Sequence, residues 1–212
     1  ATGLPAGLVI DSSSGQITGV PVGVTSGQGA VVTVTGDSYA GGSQTRKVLI
    51  RVDKGNLTLS GISAEAIPVT QTLSTSVIEG AAKNASDVTV AGNWQFRNNA
   101  NKPLAGANSY SVIFRPSDGD NYQDAYGIVT LTGTAAPLPS VTFLPPLSLV
   151  YDKTGKTHTA TASGVSGFSY EYRGRNDTIY APTDVAPENA GDYVVKATSA
   201  DPNYTGFAEQ EF

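Results

Sequence analysis

Residues 190–197 read Ala190-Gly191-Asp192-Tyr193-Val194-Val195-Lys196-Ala197, and Asp201-Pro202-Asn203-Tyr204 follows shortly after. The glycine opens the entry to a strand, and the Tyr-x-Val-x-Ala alternation places one face of that strand against a core. The Asp/Pro/Asn turn then ends it. The same pattern occurs earlier in the chain, as Pro103-Leu104-Ala105-Gly106, Tyr110-Ser111-Val112-Ile113-Phe114 and Asp118-Gly119-Asp120-Asn121-Tyr122. There the run Ile128-Val129-Thr130-Leu131-Thr132 returns as a neighbouring strand. Tyr110 and Tyr193 are related by nearly the same offset as Asn121 and Asn203. A period of roughly 80 residues with matching turn and strand predicts serial copies of one β module.

The composition agrees with small all-β modules. Of 212 residues, 24 are Gly and 12 are Pro, yet 39% are hydrophobic and 10 are Tyr. That is too apolar and too aromatic for a disordered chain, and the glycines show no triplet period, which excludes collagen. Thr, Val, Ser and Gly dominate over helix formers, which disfavours helical bundles. The net charge is −5, and no Lys/Arg cluster makes an electrostatic footprint for nucleic acid. No apolar run approaches the roughly 18 residues of a membrane span, so no membrane insertion is expected. The chain has no Cys, and therefore no disulfide and no thiolate metal site. It also has no Met, and it reads as a piece of a longer protein.

Three segments separate on turn signals. Residues 1–53 carry two alternating runs, Ala30-Val31-Val32-Thr33-Val34-Thr35 and Lys47-Val48-Leu49-Ile50-Arg51-Val52. Only about four strands fit there, against roughly seven in a complete sandwich, so this module is expected to be incomplete at its N-terminus. Residues 54–136 and 137–212 are the two repeats. The joints fall at Val52-Asp53-Lys54-Gly55 and at Thr134-Ala135-Ala136-Pro137-Leu138-Pro139, where proline stiffens the connection. Val77–Ala85 has helical composition, enough for one turn of helix.

Several of these strings resemble known families. Gly3-Leu4-Pro5-x-Gly7-Leu8 with Ser14-Gly15-x-Ile17-x-Gly19-x-Pro21 is similar to the C-terminal half of the bacterial "putative Ig" repeat, related to dystroglycan-type cadherin-like domains. Val150-Tyr151-Asp152-Lys153-Thr154-Gly155-Lys156, with the Tyr193 and Tyr204 strings, resembles the MBG (YGX-type) repeats of bacterial surface proteins; Asp152-Lys153 stands where that family favours Asp-Gly. Residues 54–136 are similar to relatives of those repeats through Gly92-Asn93-Trp94-x-Phe96 and Phe114-Arg115-Pro116. Tyr193 beside Gly191-Asp192 resembles the tyrosine corner of Ig-like sandwiches. The resemblance implies an all-β chain of tandem Ig-like β-sandwich modules, extracellular, on the surface of a bacterium or secreted by it. It implies no catalytic residues.

The chemistry-bearing residues support that expectation. His158 is the sole imidazole and lies in the alternating Lys156-Thr157-His158-Thr159-Ala160-Thr161 run, which predicts a surface strand position. No Gly-x-Ser-x-Gly elbow is present, and a three-His zinc site is impossible with one His. A carboxylate-only glycosidase needs just two acids, but such clefts are rich in Trp and this chain has only Trp94. No enzyme and no cofactor are expected. Calcium is the cation these residues would suit: Asp118, Asp120, Asn121 and Asp124 supply clustered hard oxygen ligands. The same residue types are also what a tight turn selects, and no acid stands at the twelfth place of an EF-hand loop. Asp37 and Asp53 are a second acidic pair, near the first joint. Lys54 or Lys153 would serve an intramolecular Lys–Asn crosslink.

Tyr39, Trp94, Tyr122, Tyr126, Tyr170, Tyr172, Tyr180 and Tyr204 are available for stacking on glycan. Alternation, however, puts Phe168, Tyr170 and Tyr172 on one core-facing side, and Trp94 with Phe96 on another. The expected function is a non-catalytic structural and adhesive stalk whose partners are neighbouring modules of the same parent chain. Two alternatives are a module recognising host glycan or protein through loop aromatics, and a calcium-rigidified, cadherin-like joint. The open strand edge of the first module also predicts self-association.

Overall fold

In a computed structural model of the chain, residues 1–25, 29–37 and 43–212 are described, without the side chains of 37, 43 and 44. Asp37 as a ligand and Tyr39 as a stacking residue therefore lie outside the described side chains. The strands are β1 (Leu8–Ile10), β2 (Ile17–Gly19), β3 (Ala30–Asp37), β4 (Ser43–Ile50), β5 (Thr58–Ala64), β6 (Ile67–Pro68), β7 (Ile78–Lys83), β8 (Gly92–Phe96), β9 (Gly106–Pro116) and β10 (Ala125–Thr134). They continue with β11 (Ala136–Pro137), β12 (Val141–Leu144), β13 (Thr159–Ala162), β14 (Phe168–Gly174), β15 (Tyr193–Ser199), β16 (Tyr204–Thr205) and β17 (Phe207–Glu211). Among the described residues the sole helical element is a 3-10 turn at Leu73–Thr75, so no helix is long and apolar enough to cross a membrane. The chain is all-β.

The chain forms two compact units, one of residues 1–63, 78–97 and 111–129, the other of 64–77, 98–110 and 130–212. The segment 54–136 is thus divided between them, and the long strands β9 and β10 contribute residues to both. In the first unit β1 pairs with β2 and β3 with β4, both antiparallel. Thr2 and Thr33 exchange two backbone hydrogen bonds of 2.9 Å, and Val32, on β3 next to this bridge, is fully buried. β8 pairs antiparallel with β9 from Gly92↔Pro116 to Phe96↔Val112, and β5 lies beside β7. Ala82, Phe114 and Ala125 form a core against which Leu57, Leu59 and Trp94 pack. The Trp94 and Phe114 rings meet edge-on at 5.0 Å.

This packing explains why Val77–Ala85 is not helical. A side chain at Gly80 would strike the Trp94 indole, at 2.9 Å. The backbone of β7 must therefore lie flat beneath that ring, and an extended strand with a bare Cα does so. Tertiary packing overrides the local propensity of a short Ala-rich run.

In the second unit β6 pairs parallel with β10, Ile67↔Gly133 and Pro68↔Thr134. β11 pairs parallel with β16, β12 antiparallel with β13, and β14-β15-β17 form a three-stranded sheet. Tyr172 on β14 and Tyr193, Val195 and Ala197 on one face of β15 are buried, as the sequence alternation predicts, and Val194 on the other face of β15 is buried as well. Tyr170 and Tyr172 reach from β14 to the segment carrying β13, where their hydroxyls accept the amides of Ala160 (2.6 Å) and His158 (3.0 Å).

His158 corrects the sequence expectation. It is 4% exposed, not a surface residue, with its ring centroid 4.2 Å from that of Phe212 and 6.3 Å from that of Tyr172. Neither ring nitrogen reaches a hydrogen-bond partner, and burial pushes its pKa below 6.5. The polar alternation of 156–161 is legible in the sequence; which face Phe212 covers is not.

Candidate functional site

The two copies of the Asn-Tyr turn each organise a network of side-chain and backbone hydrogen bonds. In the first, the Asp118 carboxylate accepts the Asn121 amide (3.2 Å) and its side-chain Nδ2 (2.9 Å), and Tyr122 N–H donates to the Asp118 carbonyl at 3.1 Å. This is an Asx-type turn, closed by its own carboxylate. With Nδ2 held back, Asn121 Oδ1 projects outward and accepts the Val24 amide at 3.2 Å. The joint residue Gly55 is clamped to the same turn: its N–H donates to the Asn121 carbonyl (2.7 Å), and its carbonyl accepts from Gln123 (3.0 Å). The Tyr122 ring stands 3.2 Å from where a Gly55 Cβ would be, and its hydroxyl accepts Asn84 Nδ2 at 3.2 Å. Lys54 Nζ donates to the Gly119 carbonyl. A cleft of about 220 Å3 remains, walled by Pro21, Val22, Asp53 and Tyr122.

The second copy repeats this arrangement. Asp201, 6% exposed, accepts the amides of Asn203 (2.9 Å) and Ser166 (2.9 Å), and those amides hold its carboxyl below the usual range. Asn203 Oδ1 accepts the Ala105 amide at 2.9 Å. The joint residue Ala136 donates to the Asn203 carbonyl (2.9 Å), and Leu138 to Thr205 (2.8 Å). The accompanying cleft, of about 250 Å3, is walled by Val69, Lys102, Pro103, Asn203 and Tyr204. At both turns, then, an aspartate shapes a loop, the loop carbonyl grips the joint, and the asparagine oxygen reaches an amide shortly after a proline.

The calcium candidates fall at this first turn. Asp118 oxygens hold Asn121, and the Asn121 oxygen holds Val24. Asp124 lies 3.9 Å from Arg115 Nε. Asp120 is placed in the same turn, between them. Among the described residues no three His, Asp or Glu side chains gather to hold a metal ion. Asp53 pairs with Arg51 at 2.6 Å. Lys153 occupies a left-handed turn position, φ 63°.

The aromatics are engaged locally. Tyr126, though 63% exposed, lies under the Arg97 guanidinium at 5.6 Å, and Tyr180 donates to the Val185 carbonyl at 2.9 Å. Trp94 is partly buried on its core cluster, and Tyr204 sits beside Gly164. The outward role of Asn121 and Asn203 was missed from sequence. Its signal was a second offset: Pro21 and Pro103 are separated by the same interval as the two asparagines.

Residues 1–53 match the family described as "Putative Ig domain". No curated protein and no solved structure matches the chain. With the all-β structure, the match places an Ig-like element in the first segment.

Proposed function

We propose that this chain is a run of non-catalytic spacer modules, bounded near 53 and 136, in a large bacterial surface or secreted protein whose adhesive part they hold away from the cell. The likeness of residues 54–212 to MBG repeats belongs to this reading, as do the extracellular location and the neighbouring modules as partners. Its main support is mechanical. β6, near the entry to the middle segment, runs parallel to the end of β10, near its exit, and Val69 N–H adds a 3.0 Å bond to the Thr134 carbonyl. Tension on the two ends of such a pair loads its hydrogen bonds together in shear, whereas an antiparallel hairpin pulled at its open end unzips one bond at a time. The clamping of Gly55 and Ala136 onto the Asn-Tyr turns further limits bending at each joint.

Single-molecule stretching of the 212-residue chain tests the reading. The expected trace shows discrete force peaks, each releasing on the order of 25–30 nm for about 80 residues of extended chain. Smooth extension without peaks, or binding of the isolated chain to a glycan array, would overturn it.

A further inference from the structure

Three prolines mark corresponding places along the chain: Pro21, Pro103 and Pro187. They follow one another at the repeat interval of roughly 80 residues. Each borders a cleft. The first two clefts contain the Asn-Tyr turn of the next segment, whose asparagine oxygen accepts an amide shortly past the proline, at Val24 and Ala105. The third cleft, of about 200 Å3, is bordered by Leu149, Lys156, Pro187, Asn189, Tyr193 and Phe212. Pro187 is fully buried, whereas Glu188, Asn189 and Ala190 are exposed. Their amides donate to no acceptor among the described residues. The surroundings are nevertheless fixed: Tyr193 donates to the Asn189 carbonyl at 2.9 Å, its ring stacks on Phe212 at 5.6 Å, and Lys156 is tied to Asp152 at 2.6 Å. A turn just past a proline, with a backbone amide left unpaired beside a cleft, is what each of the other two sites would present without its asparagine, at Val24 and at Ala105.

We propose that the Pro187–Gly191 turn is a docking socket for the Asp-x-Asn-Tyr or Asp-x-x-Asn-Tyr turn of one further repeat of this kind. The asparagine Oδ1 of that repeat accepts an amide at Glu188–Ala190, and its tyrosine covers the apolar wall of Leu149 and Phe212. This rests on the spacer reading in that the occupant is another module, and it adds how successive modules recognise each other: through one side-chain oxygen on a carboxylate-shaped turn. Polar capping of exposed amides suits a joint that must stay soluble before it is made.

The test extends the full chain by a second copy of residues 135–212 and follows amide hydrogen exchange residue by residue. The expected result is fast exchange at Glu188–Ala190 in the unextended protein and at least roughly tenfold slowing at one of these amides in the extended chain. Alanine at the appended copy's counterpart of Asn203 restores fast exchange, while aspartate, which keeps the acceptor oxygen, preserves the slowing. Circular dichroism confirms that the appended copy is folded in each case. Unchanged exchange at 188–190 in a folded extended chain overturns the socket. Asn203→Ala in the unextended protein separates the two readings: loss of protection at Ala105 alongside unchanged exchange at 188–190 in the extended chain sinks the socket and leaves the spacer reading standing.

Discussion

The phenol of Tyr193 donates to the carbonyl oxygen of Asn189, just upstream in the chain, at 2.9 Å. The ring is 5% exposed and meets Tyr180 edge-on at 5.6 Å, so the hydroxyl ties the entry loop of β15 to the core as in a tyrosine corner. Tyr193→Phe keeps the ring and loses the bond. It is expected to cost about 1 kcal/mol, read as a lower urea midpoint at unchanged slope. Tyr110 makes the related contact, accepting the Leu104 amide at 3.0 Å. Leu104 is exposed, so water replaces that bond and Tyr110→Phe should cost less.

His158 makes stability sensitive to mild acid. Burial lowers its pKa below 6.5 in the folded chain. Above that pH both folded and unfolded chains carry a neutral ring, and the residue adds no slope. Below it the unfolded chain takes up a proton that the folded chain resists, so stability falls as pH falls. Thermal melts between about pH 4 and 7 should show this decline, and His158→Leu should flatten it. An equal slope in the leucine variant would place its origin elsewhere.

Metal removal is expected to leave the protein unchanged. The Asp118 carboxylate is occupied by Asn121, and the Asn121 oxygen by Val24, so the turn closes without a cation. Calorimetric melts with calcium and with chelator should superimpose. Asp118→Ala should lower the melting temperature in both solutions, because the turn loses two acceptors. A drop of several degrees in chelator alone would make the turn a calcium joint.

The first segment is expected to self-associate weakly. Val31 and Leu49 face each other across β3 and β4 and are 56% and 64% exposed, so they present an adjacent apolar pair to solvent. Light scattering against concentration should show growth beyond the monomer. Val31→Thr with Leu49→Thr should suppress it at little cost to the strands, since threonine keeps β propensity. A wild-type chain that stays monomeric at high concentration counts against the patch.

What the sequence alone determined is local. The all-β class, the strand faces of Tyr193-x-Val195-x-Ala197 and the turns at Asp118 and Asp201 all follow from near neighbours in the chain, where alternation and turn chemistry act directly. The repeat was visible for the same reason, because each copy carries its own turn. Tertiary structure decided the rest. Gly80 lies in a strand because Trp94 crosses it, His158 is buried because Phe212 returns over it, and Asn121 matters because Val24, 97 residues away, offers an amide. A side chain's neighbours at such sequence distances are set by how strands stack, and neither alternation nor propensity encodes which segment arrives on the other side.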